Sequence, residues 1–215
     1  VETLGGEEGS VTIIGAVSPA GGDFSEPVTQ NTRRFVSAFL ALDRELAYAR
    51  HFPAINWLKS YSGYADQLAD WYEDNVSHDI PEIRARMLKL LHEESRLLEI
   101  VKLVGEDVLP DDQRLILEIA RILRNGFMSQ NAFHPVDTFV PLQKQYLMLK
   151  TMDYLYERGA HAVKKGIPIS RVRNEELYGR VMKMKQSIPN DDTKPFNAIK
   201  NDIRTFYDHL EQQYA

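Results

Sequence analysis

The sequence predicts a mainly α protein, a C-terminal helical bundle preceded by a short βαβ portion of an α/β domain. Three observations predict it. Helical periodicity runs almost unbroken from residue 64 onward. Prolines and glycines fall where helices start and stop. A short β-branched run near the start, residues 11–17 (VTIIGAV), reads as a buried strand of the parallel type. The expected division is residues 1–63 for the end of the α/β domain and residues 64–215 for the bundle.

Taken in order, residues 21–30 (GGDFSEPVTQ) are turn chemistry, a glycine pair followed by Asp, Ser and Pro. Residues 32–50 show helical spacing, with Phe35, Phe39, Leu42 and Leu46 on one face. Residues 51–58 (HFPAINWL) are a second extended candidate, which Pro53 confines to a strand start or an edge. Helices are then expected over 64–75, 81–104, 110–127, 142–164, 170–186 and 195–213. Pro81 and Pro110 suit a first helical turn, where a missing N–H costs nothing, and Gly105 and Gly166 suit helix ends. A lone parallel strand needs neighbours on both sides, so residues preceding Val1 are expected to supply most of the sheet.

Composition narrows the function classes. Of 215 residues, 43% are hydrophobic and 27% charged, which supports a real core and argues against disorder. The net charge of -5, with bases interleaved among acids, excludes a nucleic-acid binder. The absence of cysteine excludes a disulfide framework, a thiolate metal site and a cysteine nucleophile, and fits a reducing cytoplasm. No apolar run approaches the roughly 18 to 20 residues that cross a bilayer, so no direct membrane insertion is expected.

Phosphate chemistry is not visible either. A P-loop needs glycines and a Lys-Ser/Thr pair, and Gly-Lys occurs nowhere. The run His92-Glu93-Glu94-Ser95-Arg96 lacks the second histidine of a zinc-protease helix, and the remaining histidines have no ligand spacing, so no metal site is expected. Two features carry more. Phe52 lies in HFPAINWL, and Phe133 and Phe139 lie in residues 130–139 (QNAFHPVDTF), between helices. Phenylalanines in proline-containing loops can wall a slot for a flat group such as a purine, although a satellite core cluster has the same pattern. Residues 106–112 (EDVLPDD) form an acidic helix–loop–helix tip. Its acids suit a helix N-terminus, and equally a basic partner helix.

Residues 18–32 (SPAGGDFSEPVTQNT), 41–64 (ALDRELAYARHFPAINWLKSYSGY) and 130–139 together closely resemble the catalytic A subunit of vacuolar and archaeal-type rotary ATPases. The resemblance covers essentially the whole chain, is weakest after Gly166, and in Pro53-Ala54-Ile55-Asn56-Trp57 is nearer the archaeal and bacterial branch. It implies the tail of a P-loop NTPase α/β domain and all of a C-terminal helical bundle, in a subunit that couples ATP hydrolysis or synthesis to proton or sodium transport. It implies that Phe52, Phe133 and, with a looser match, Phe139 border adenine. It implies that Asp23, Ser25 and Glu26, in a loop like one of the F-type β subunit, contact the rotor. Glu106, Asp107, Asp111 and Asp112 sit where F-type β subunits carry the acidic DELSEED lever, with only acidity and position kept. The implied partners are a non-catalytic B subunit in an alternating hexamer, central-stalk rotor subunits and ATP or ADP with Mg2+. The implied place is the cytoplasmic side of a membrane. The groups that hold phosphate and magnesium, and those that orient water, are expected before Val1. Alone, this chain is then expected to be inactive and to require no cofactor. The competing reading is a stand-alone helical interaction module.

Overall fold

In the second half of the chain helices begin at prolines: Leu142 follows Pro141, Ile169 follows Pro168, and Pro195 lies in the first turn of the last helix. The structure, a computed structural model, describes residues 4–214. It divides into two units, Val1–Phe39 and Leu40–Ala215.

In the first unit a 3-10 turn, Ala20–Gly22, precedes α1, Pro27–Phe35, which starts with proline in its first turn, and β1, Ala38–Phe39. Thr29 is fully buried and donates to the Glu26 carboxylate (2.9 Å). The Phe24 and Phe39 rings meet edge to face at 5.8 Å, with Arg33 over the Phe39 ring. Residues 11–17 are not a strand. Val11, Ile13 and Ile14 stand exposed, because the described residues offer this run no neighbouring strands to close a ladder.

The helix expected over 32–50 is two helices. Val36 turns extended after α1, and α2, Arg44–Tyr48, starts afresh where the Asp43 carboxylate accepts the N–H groups of Glu45 and Leu46. The expected strand over 51–58 reduces to one antiparallel bridge, Leu42 to Ile55, and the only strand of the second unit among the described residues is β2, Tyr61–Ser62.

The bundle is built from α3, Tyr64–Gln67; α4, Ala69–Asn75; α5, Ile80–Val104; α6, Asp111–Ile122; α7, Leu142–Lys164; α8, Ile169–Val172; α9, Glu175–Ser187; and α10, Lys194–Gln213. The protein is mainly α, as the periodicity predicts. Helix α7 is the hub, packing on α10, α6 and α5. Met148, Met152, Leu155 and Ala162 are fully buried along one stripe of it, at helical spacing. Gly159 lies on the same stripe, where a Cβ would come within 3.1 Å of Leu115 and 3.3 Å of the Tyr207 hydroxyl, so α6 and α10 close tightly over it. Helix α10 answers with Phe196, Ile199, Ile203, Tyr207 and Leu210.

Three more of the predicted helices are broken. Residues 64–75 divide at Leu68. Residues 170–186 divide at Asn174, whose extended backbone and side-chain oxygen cap α9 through the Leu177 N–H. Residues 110–127 end as a π-turn, Leu123–Met128. Gly126 is required there: a Cβ would lie 2.9 Å from the Met182 carbonyl oxygen of α9.

Candidate functional site

Phe52 is positioned by a small polar frame. Asp43 accepts from the Asn56 side chain (2.7 Å), which holds its carboxyl below the usual range. The Asn56 N–H donates to Ala41 O and the Asp43 N–H to Ala54 O. Ser60 donates to Asn56 O and accepts the Ala41 N–H. The frame projects residues 51–53 as a tight corner, and the Phe52 ring is 52% exposed. The Phe52 carbonyl oxygen accepts the Gln130 N–H at 2.7 Å. Residues some 80 positions apart are thereby joined at the backbone.

The loop beyond Gln130 is closed on itself. Asp137, 1% exposed, accepts the Asn131 N–H on Oδ2 (2.8 Å). Gln130 reaches back to the carbonyl oxygens of Asp137 and Thr138, and the Thr138 hydroxyl bonds Ala132 O and His134 O. Asn131 Oδ1 accepts the Phe133 N–H (2.9 Å). Burial pushes Asp137 upward, but the Asn131 N–H and the Lys185 ammonium prevail and keep it ionised, below the ordinary value. On this fixed base the Phe133 ring is 97% exposed and Phe139 73%. Solvated aromatic rings on a loop tied by its own hydrogen bonds are free to stack on a flat group.

Behind the Phe52–Gln130 junction lies a cleft of about 380 Å³, walled by His51, Pro53, Trp57, Gln130, Met148 and Lys185 among others. The Phe52 and Phe133 rings are not on its wall, and among the described residues no ring contact joins them. The structure thus brings their loops together but not the rings themselves. His51 packs edge-on against Trp57, and burial, with the charges of Arg124 and Lys185, lowers its pKa.

The acidic residues fall into two kinds. Asp23 accepts both the N–H and the hydroxyl of Ser25 (2.9 and 2.6 Å), which hold its pKa low, and Glu26 stands at the start of α1. At the tip, Gly105 (φ 88°) ends α5 and one 3-10 turn, Glu106–Val108, leads to α6. Asp107 is fully exposed, with Arg114 at 3.8 Å, beside the exposed side chains of Leu103, Val104 and Val108. Asp111 differs: its carboxylate accepts the Ile169 N–H (3.0 Å) and so starts α8. Asp112 borders a groove with Tyr156, His161 and Lys164.

Two family models match the chain. The family model described as the nucleotide-binding domain of the ATP synthase alpha/beta family matches residues 1–62. The model described as the C-terminal domain of V and A type ATP synthase matches residues 69–173. The V-type ATP synthase alpha chain 2 of Clostridium tetani is 63% identical over the whole chain. The chain belongs to the V- and A-type ATP synthase alpha/A subunits. The V-type ATP synthase alpha chain of Halothermothrix orenii is 55% identical over the whole chain, and the A-type ATP synthase A subunit of Methanopyrus kandleri 52% over 99% of it. The chain spans 36% of the length of each of these three relatives. No helix among the described residues is long and apolar enough to cross a membrane.

Sequence reasoning missed the residues that hold this loop in place. Asp137 stood in the motif without a role, and Lys144, Lys185 and Asn190 were given none. Lys144 is 1% exposed, and its ammonium donates to Lys185 O, Ile188 O and Asn190 Oδ1.

Proposed function

We propose that this chain forms the adenine side of the nucleotide site, and the contacts to the rotor stalk, in the catalytic subunit of a rotary ATPase. The subunit couples ATP hydrolysis or synthesis to proton or sodium transport. It alternates with non-catalytic B subunits in a hexamer peripheral to the cytoplasmic face of a membrane. The division proposed is residues 1–63 for the end of the nucleotide-binding domain and 64–215 for the bundle, a reading supported by family matches over 1–62 and 69–173.

The observation that carries this reading is Phe133. Its ring is 97% exposed on a loop whose backbone is tied down by Asp137 and joined to Phe52. A purine laid on such a ring gains roughly 1 to 3 kcal/mol. Phe52 and Phe139 supply further aromatic surface. Asp23, Ser25 and Glu26, together with Glu106, Asp107 and Asp112 of the tip, are the proposed rotor contacts, and Asp111 shares its acidity with a structural bond to Ile169.

Catalysis of phosphoryl transfer is positioning and electrostatics around Mg2+-bound phosphates. The sequence has no Gly-Lys pair to cradle them. The chain's own task is therefore to hold the base while groups outside it work on the phosphates. By itself the chain hydrolyses no ATP; magnesium-dependent turnover by the purified chain would contradict this. In the full assembled complex, Phe133→Ala should raise the KM for ATP about 5- to 150-fold. The rate at saturating ATP should change far less, because the ring is remote from the reacting bond. An unchanged KM removes Phe133 from the adenine site.

A further inference from the structure

The loop that presents Phe133 is held by residues lying beyond the segment matched to the C-terminal domain, which ends at 173. Lys185, on α9, is 5% exposed. Its ammonium donates to Phe127 O (3.2 Å) and to Ser129 O, and stands 3.1 Å from Asp137 Oδ1. Two carbonyl oxygens accept from the ammonium and a buried carboxylate stands beside it at ion-pair distance, so the buried charge is both solvated and countered. The acceptors are not scattered. Phe127 and Ser129 are where the chain enters the loop, and Asp137 is where it closes. One cation therefore fixes both limbs of the segment between which Phe133 is carried.

Asn190 supplies a second clamp, donating to Val136 O (3.0 Å) and Phe139 O (2.7 Å) while its own oxygen accepts from Lys144. Gln186 adds a weaker bond to Asp137 Oδ2. Residues 185–190 are thus one continuous bracket around the loop. The bracket touches no exposed face of the Phe133 ring.

We propose that Lys185, with Asn190 as its second arm, is a positioning residue for nucleotide: it holds the 130–139 loop so that the Phe133 ring meets the base in a single pose. This rests on the adenine reading of Phe133. Acting through the rings that the loop carries, Phe133 foremost, Lys185 can lose no more affinity than those rings supply. Removing it should therefore act on KM, not on the phosphate chemistry, and should have little to act on once the Phe133 ring is gone.

The test is a double-mutant cycle in the full assembled complex, reading the KM for ATP, kcat and the melting temperature for Lys185→Met, Phe133→Ala and the double variant. Lys185→Met should raise KM about 5-fold and no more than Phe133→Ala does. In the Phe133→Ala background it should add less than about 2-fold to KM, although non-interacting changes would multiply. Its effect on melting should persist in both backgrounds, because the buried pair is lost in both. Asn190→Ala, which leaves the buried Lys144 ammonium two of its three acceptors, should show the same KM pattern at smaller size, and decides the matter if Lys185→Met does not assemble. An unchanged KM in both single variants, or a full multiplicative effect in the Phe133→Ala background, overturns the positioning role. A Phe133→Ala variant with normal KM would instead sink the adenine reading beneath it.

Discussion

Two loops of the bundle each lift an apolar side chain into solvent, and they are built in opposite ways. The 130–139 loop exposes Phe133 above a buried Asp137, two buried lysines and a web of internal hydrogen bonds. The tip between α5 and α6 exposes Leu103, Val104 and Val108 beside an Asp107 whose nearest cation, Arg114, stands 3.8 Å away. A stacking platform must hold a plane to within a fraction of an ångström, because near-misses forfeit the contact energy. A surface that presses on a moving partner gains nothing from such rigidity. The difference teaches that exposure alone does not mark a site's kind; what lies beneath the exposed side chain does.

The largest expected effect breaks the comparison at its foundation. Asp137→Ala leaves the Lys185 ammonium buried without its counter-charge and should cost roughly 3 to 5 kcal/mol. Asp107→Ala at the tip should stay within about 0.5 kcal/mol. Urea unfolding of the two variants measures both, and equal effects would mean the loops are not built differently after all. A smaller effect separates acids within the tip. Asp111→Asn weakens the bond that starts α8 and should destabilise by about 1 kcal/mol. Glu106→Gln, Asp107→Asn and Asp112→Asn together should leave stability and nucleotide affinity intact and weaken binding to the rotor stalk, because exposed charges act locally and are screened. Unchanged stalk binding in that triple variant would reduce the tip to a solvated helix start.

The smallest effect is a pH dependence of the bundle. Burial pushes Asp79 up, but hydrogen bonds from Ser77, Lys150 and Tyr146 hold it well below the usual range. Glu211 is lowered by Lys165 and then, against burial, by Arg158. Both groups are depressed in the folded state. Their contribution is present above the unfolded carboxylate value near pH 4 and is lost as pH falls through the folded values. Melting temperatures followed below about pH 4 should fall, and Glu211→Gln should flatten that fall; a flat profile in the parent would refute the sign.

Much of the fold was legible because apolar spacing reports burial directly. Helix α7 runs Leu142–Lys164, the bounds its periodicity implies, because its stripe of Met148, Met152 and Leu155 faces core throughout. The breaks were harder to see. Asp43 and Asn174 read as tolerable interior residues until their side chains are seen capping the helices that follow. The run at 11–17 has strand chemistry, yet a strand is a property of neighbours, which the described residues do not provide. In the site, Phe52, Phe133 and Phe139 stood out as aromatics where no core face required them. Lys185 could not stand out. A lysine on an amphipathic helix reads as solvent-facing, and only the fold shows that α9 turns it inward onto Asp137.

The central claim is that the exposed Phe133 ring binds the base and leaves the phosphates to other groups. The most direct measurement compares ATP with inorganic tripolyphosphate, each with magnesium, binding to the full assembled complex before and after Phe133→Ala. ATP should bind about 5- to 150-fold more weakly to the variant, while tripolyphosphate, which has no base to stack, should bind as before. Equal losses for both ligands, or no loss for ATP, would contradict it.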